Sequence, residues 1–258
     1  MKTRSLAAKV VITLVGIIFL FGENAVAQAP AVRVLASNGV QGALNEIIPQ
    51  CERAIGHPLS VEFGTTASLK PRIEGGEPFD FTILTSDAID ALTKEGKIGA
   101  DSRANVARVG IGIGIRGGAA KPDVSTAEAL RKALLNAKSI TYAAAGASRG
   151  PTDKMLASMG IADALKSKTL LLSGAEETAA AVRDGKADIL ITLISEIMSA
   201  KGLELAGPLP REFQTYIAFA AGISPSAKNA EAAKSAVKFL TGPKAASAYK
   251  AKGMESGK

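Results

Sequence analysis

The sequence predicts an α/β protein in which short parallel strands alternate with helices. Three observations carry that reading. Apolar, β-rich runs recur at 31–35, 59–63, 79–84, 107–115, 139–142, 169–172, 188–194 and 214–223. Most are short and apolar on both faces, as strands covered by helices on both sides are. Between them lie segments whose apolar residues repeat at helical spacing and whose ends carry capping residues.

Taken in order, strand 31–35 runs into Ala36-Ser37-Asn38-Gly39 and a helix over 40–54. Cys51 falls one turn after Ile47 on the apolar face of that helix, which predicts a buried structural thiol. His57 sits between Gly56 and Pro58 in a turn, ahead of strand 59–63. That strand breaks at Gly64 and delivers Thr65, Thr66 and Ser68 to a helix start, where side-chain oxygens satisfy free N–H groups. The same spare donors would also suit an anion. Strand 79–84 follows. Strand 107–115 is longer than its neighbours and, with 214–223, is a candidate for passing from one part of the fold to another. A helix over 126–136 follows Ser125 as its cap, strand 139–142 leads to the loop Gly146–Gly150, and Pro151 opens a helix over 151–159. Strand 169–172 and Ser173-Gly174 precede a helix over 175–183 that stops at Asp184-Gly185. After strands 188–194 and 214–223 come alanine- and lysine-rich helices over 229–240 and 243–252.

The chain's ends and composition narrow the function. Lys2, Arg4 and Lys9 precede an apolar run at 10–21, and Ala25-Val26-Ala27 supplies a small-residue cleavage pattern, so 1–27 is expected to be a secretory signal peptide. The run is too short to span a bilayer comfortably. Gln28, rather than a cysteine, follows the cleavage point, which disfavours a lipid anchor. The mature protein is expected to be a soluble, periplasmic monomer starting near Gln28. Its net charge is +5, against +7 for the whole chain, a weak pointer to an anionic ligand. No basic run interleaved with aromatics is present, which argues against nucleic acid. Trp is absent and aromatics make up 4% of residues, which argues against a sugar site of stacked rings.

Catalytic plans fare poorly. Cys51 is the only cysteine, so no intramolecular disulfide forms, and His57 is the only histidine, placed away from the loops that could build a site. No zinc spacing occurs, and no cofactor is called for. Gly112-Ile113-Gly114-Ile115-Arg116-Gly117 fits the dinucleotide fingerprint, but its glycines lie inside the strand pattern and no helix follows.

Four strand ends share a polar, glycine-bearing loop that opens a helix: Ser37-Asn38, Thr65-Thr66, Ser148-Arg149 and Gly174-Ala175. In open parallel sheets, ligands sit beyond the carboxyl ends of strands, where such loops converge. The stretches at 37–92, 138–156 (KSITYAAAGASRGPTDKML) and 181–197 (AVRDGKADILITLISEI), in that order, resemble the molybdate-binding-protein-like group of bacterial extracellular solute-binding proteins. The resemblance implies a type II two-lobed periplasmic-binding-protein fold. Each lobe would be a mainly parallel sheet flanked by helices, with crossing strands between them. Residues 28–110 with 217–258 would form lobe one and 111–216 lobe two, closing by a hinge over the ligand.

The resemblance also implies a site and a partner. Ser37, Asn38, Thr65 and Thr66 would face Ser148, Arg149 and Ala175 across the cleft, with Thr192 and Ser195 as weaker candidates whose hydroxyls could instead bond local backbone. Molybdate binders hold their oxyanion in a neutral set of hydroxyls and N–H groups that includes a tyrosine. Leu193 stands about where that tyrosine is expected, and Arg149 adds a charge; both favour a larger anion such as an organic carboxylate. The implied function is capture of a small anion for an ABC-type importer whose membrane permease is the docking partner. A related branch isomerises aconitate, and for that alternative Asp153, Glu176 and Glu177 are candidate bases.

Overall fold

The structure, a computed structural model, describes residues 29–257; the expected signal segment lies outside the described residues. The first half of the chain alternates β1 (Val32–Ser37), α1 (Asn38–Ile55), β2 (Leu59–Gly64), α2 (Thr66–Glu74), β3 (Phe81–Thr85) and α3 (Ser86–Lys94), then a 3-10 turn and the long β4 (Ala104–Arg116). The second half contains α4 (Ala127–Asn136), β5 (Ile140–Ala143), α5 (Arg149–Ser158), α6 (Ala162–Lys166), β6 (Thr169–Leu172), α7 (Ala175–Arg183), β7 (Ile189–Leu193), α8 (Ile194–Ser199) and β8 (Leu203–Pro208). The chain ends with β9 (Tyr216–Ile223), α9 (Ala230–Leu240), α10 (Pro243–Ala251) and β10 (Met254–Ser256).

Helix α1 forms because Val40, Ala43, Leu44, Ile47 and Cys51 fall on one buried face. Each large aliphatic side chain so buried contributes about 1.5–3 kcal/mol. The helix stops at Gly56, whose φ of 72° favours glycine and whose N–H bonds back to Glu52. Cys51 is fully buried, and burial, with the Glu52 charge behind it, pushes its thiol up to about 11.

The strand order is β2-β1-β3-β9-β4-β7-β5-β6, with β8 and β10 also pairing β4. Strands β1, β2 and β3 are mutually parallel, as are β5, β6 and β7. Antiparallel pairing enters through β9 and β4. Residues 104–110 of β4 pair with β9, whereas residues 111–114 pair with β7, so the ladder changes partner between Gly110 and Ile111. By contrast, among the described residues β9 pairs only with β3 and with the first part of β4. The return connection runs earlier, where Gln214 accepts from Ile111 N at 2.8 Å through Oε1 and donates to Ile111 O at 3.0 Å through Nε2.

Several boundaries differ from expectation. Helix α5 begins at Arg149, so Pro151 occupies its third position and Ser148 precedes it. Thr126, not Ser125, caps α4, because the Ser125 hydroxyl donates to Asp123 instead. The alternating glycines of β4 have a packing role. A Cβ at Gly112 would meet Ile194 and Leu205 at 2.9 Å, and one at Gly114 would meet Ile197 at 3.1 Å, so bare backbone lets α8 lie against the strand.

Candidate functional site

Register gathers the loops. Ser37 pairs with Gly64, which sets the β1–α1 and β2–α2 turns side by side. Ala143 pairs with Leu172, and Ala144 N bonds to Leu172 O, which does the same for the turns after β5 and β6. In the first group the Ser37 and Thr65 hydroxyls cap α1 and α2, and the Thr66 hydroxyl accepts from the end of β3 instead. Ser37 Oγ accepts from Gly39 N at 3.3 Å, Thr65 Oγ1 from Ser68 N at 3.1 Å, and Thr66 Oγ1 from Thr85 N at 3.3 Å. A hydroxyl that caps by accepting keeps its own proton to donate, so capping and anion binding are compatible.

In the second group, Ser148 is buried and makes no side-chain cap bond. Thr152, one turn on, is fully buried with a hydroxyl that has no hydrogen-bond partner among the described residues. Arg149 is held on two sides. Its Nε donates to Asp153 Oδ2 at 2.5 Å and its guanidinium lies 5.3 Å from the Tyr142 ring centre. Tyr142 in turn donates to Asp153 Oδ1 at 3.1 Å. Asp153 keeps Arg149 protonated beyond the usual range, and burial, aided by the Asp153 charge, raises the Tyr142 phenol.

A cavity of about 500 Å³ opens where the two halves of the chain meet. Asn38 and Gln41 of α1 line it on one side, Ala175 and Glu176 of α7 on the other, with Thr192 of β7 and Glu196 of α8. Three of the predicted site residues, Asn38, Ala175 and Thr192, therefore come together here. Ser37, Thr65, Thr66, Ser148 and Arg149 are not part of its lining. A larger cavity of about 850 Å³ lies between the end of β4, α4 and the far end of α7, and no predicted site residue lines it.

Glu196 is the residue sequence reasoning missed. Thr192 donates its hydroxyl to Glu196 Oε2. Burial drives the Glu196 carboxyl above the ordinary glutamate value, against the opposing bonds from Thr192 and the Leu193 amide. The signal was the spacing: Thr192 and Glu196 are four apart across a strand-to-helix turn. Of the candidate bases, Asp153 is engaged by Arg149, Glu177 accepts from Ser173 N at 3.0 Å, and the Glu176 side chain is 85% exposed. His57 bonds Pro30 O through Nδ1 at 3.1 Å, at the opposite end of β2 from Gly64. Among the described residues no group of His, Cys, Asp and Glu suits a metal ion, and no helix is long and apolar enough to cross a membrane.

Comparison with known proteins places this geometry. Residues 32–255 match the family model described as bacterial extracellular solute-binding protein. An aconitate isomerase from Pseudomonas sp. is 26% identical over 227 residues, covering 86% of each chain. The molybdate-binding protein ModA of Azotobacter vinelandii is 28% identical over 239 residues, 88% of this chain and 90% of that one. The solved periplasmic molybdate-binding protein of Azotobacter vinelandii superposes with a TM-score of 0.76 at 18% identity, over 88% of this chain and all of that one. The fold is thus the two-lobed α/β fold of periplasmic binding proteins, and the chain belongs to the family of bacterial extracellular solute-binding proteins.

Proposed function

We propose that the protein captures a small anion in the periplasm and hands it to an ABC-type importer, docking transiently on the membrane permease as a monomer. The observation that carries this reading is the 500 Å³ cavity to which both halves of the chain contribute, bounded by the first turns of α1 and α7. Helix N-termini present unpaired N–H groups and favour negative charge. The lobes we assign are 28–110 with 217–258, and 111–216; the change of partner at Gly110/Ile111 supports the first boundary. Within the anions we favour an organic carboxylate over molybdate. Arg149 is braced through Nε, which leaves its terminal nitrogens to grip a carboxylate when the lobes close. Native mass spectrometry of protein purified without refolding should find a retained anion. Calorimetry should give saturable, stoichiometric heat with a polycarboxylate, and no heat with any anion tried would overturn the reading.

One observation favours a second reading, isomerisation of an unsaturated tricarboxylate, the activity that names the Pseudomonas relative. Glu196 puts against the cavity a carboxyl whose proton affinity burial raises above the ordinary glutamate value. Following cis- and trans-aconitate by proton NMR decides between the two: interconversion at catalytic protein levels replaces the binder with an enzyme, and unchanged aconitate retains the binder.

A further inference from the structure

The charges around the cavity do not balance as an anion site should. Three carboxyls line it, Glu46, Glu176 and Glu196, with the single ammonium of Lys252. Lys252 is committed to Glu46 at 2.5 Å. Glu176 faces solvent and lies 3.6 Å from Arg183. Glu196 is different: it is partly buried, and among the described residues no lysine or arginine pairs with it.

Apart from Lys252, which is paired with Glu46, the described residues lining the cavity offer Glu196 no compensating cation. From α1 the cavity receives Glu46 beside neutral Asn38, Gln41 and Asn45, and from α7 it receives Glu176. Strand β7 contributes Leu190 and Thr192. On its other side α8 packs on β4 and β8 through Ile194 and Ile197 against Gly112, Gly114 and Leu205, while the charged residue of β8, Glu204, pairs with Lys121 at 3.5 Å. A negative Glu196 here would repel the anion that the helix N-termini attract. A neutral one would present an O–H donor.

We propose that Glu196 is the ligand-selecting group of this cavity: it enters the complex protonated and donates its O–H to an anionic oxygen of the ligand, so that each anion bound brings about one proton with it. This deepens the anion-binding reading and rests on it. The ligand class it selects is an anion with an oxygen exposed to accept that bond, a polycarboxylate or a tetrahedral oxyanion. The elevated proton affinity that burial confers on the carboxyl supports the idea, but the cavity lining and the missing cation carry it.

The test is calorimetry with trans-aconitate and with molybdate as probes, from about pH 5 to about pH 8, in two buffers of different ionisation enthalpy. Wild type should take up about one proton per anion above the carboxyl's own pKa, and affinity should fall about tenfold per pH unit there. Glu196→Gln keeps a donor and cannot titrate, so it should bind without uptake and without that slope. An unchanged slope in Glu196→Gln, or no uptake by wild type, overturns the proposal; the second result is what a glutamate that only closes the first turn of α8 would give. A ligand-free reading keeps the two layers apart. The carboxyl carbon signal lost in Glu196→Gln should titrate well above about 4.3. A value at or below that removes this inference even where anions bind. A raised value with no heat from either probe at any pH removes the anion-binding reading, and the coupling with it.

Discussion

The Ser195 hydroxyl donates to the carbonyl of Gly39 at 2.7 Å, joining residues 156 positions apart at the edge of the candidate cavity. One turn further on, the same two helices approach so closely that a Cβ on Gly42 would lie 1.8 Å from Ser199 Oγ and 2.7 Å from Ser199 Cβ. Gly42→Ala should therefore cost about 1–3 kcal/mol through overpacking. Adding Ser199→Gly removes both clashing atoms and should restore most of that loss, less up to about 1 kcal/mol for a helical glycine. Urea unfolding of the single and double variants measures it; a Gly42→Ala variant as stable as wild type would mean that α1 and α8 are not this close.

Asp80 contributes to the acid sensitivity of the fold. Burial alone would raise its carboxyl, but donors from Asn229 and Arg33 outweigh that and hold it below the usual value. Arg33 N lies at 2.8 Å, Asn229 N at 2.9 Å and Asn229 Nδ2 at 3.1 Å. Because the folded value is depressed, the stabilisation is present above the unfolded value of about 3.9 and disappears as pH falls through the folded value. Asp80→Asn should lose about 2 kcal/mol at neutral pH. Thermal melts across the acid range should show the gap to wild type closing as pH falls, and a constant gap would contradict it.

Thr152 should improve when made apolar. Its buried hydroxyl has no partner among the described residues, and a buried unsatisfied group costs about 1–3 kcal/mol. Thr152→Val keeps the shape and should raise stability by about 1 kcal/mol. A destabilised valine variant would show that the hydroxyl is bonded in solution.

The hydroxyls and Arg149 separate caps from ligands. Thr65→Ala loses a cap worth about 1 kcal/mol. If Thr65 and Arg149 also grip the anion, Thr65→Ala and Arg149→Ala should weaken binding ten- to a hundredfold, roughly 1.5–3 kcal/mol. Melting and calorimetry run side by side distinguish the outcomes: early melting with normal affinity leaves both residues as structural.

Export is read by intact mass. The mature chain isolated from the periplasm should begin at or near Gln28, and retention of Lys2 with the apolar run at 10–21 would exclude a cleaved signal.

Strong local signals were legible in the sequence. Strand β6 and helix α7 lie where the apolar run at 169–172 and the Gly174 and Asp184-Gly185 boundaries put them. Helix α8 was not foreseen because its cap position is Leu193, which offers no side-chain oxygen, and because strand passes to helix with no intervening loop. Strand β10 is three residues long and exists only through pairing with β4. In the candidate site, Asn38 and Ala175 were nominated from loop chemistry, and Thr192 only as a weaker candidate from the family resemblance. Glu196 was hidden, since a glutamate beside a strand resembles a solvated face until α1 and α7 are folded over it.

The partner change within β4 has a consequence for how the molecule comes apart. One continuous strand supplies half of its ladder to β9 and β10 and the other half to β7 and β8. Melting one half would leave the other half's ladder bonded to its own partners on either side of Gly110 and Ile111. Nothing in the pairing therefore obliges the two lobes to unfold together, and twisting about that strand leaves both ladders intact.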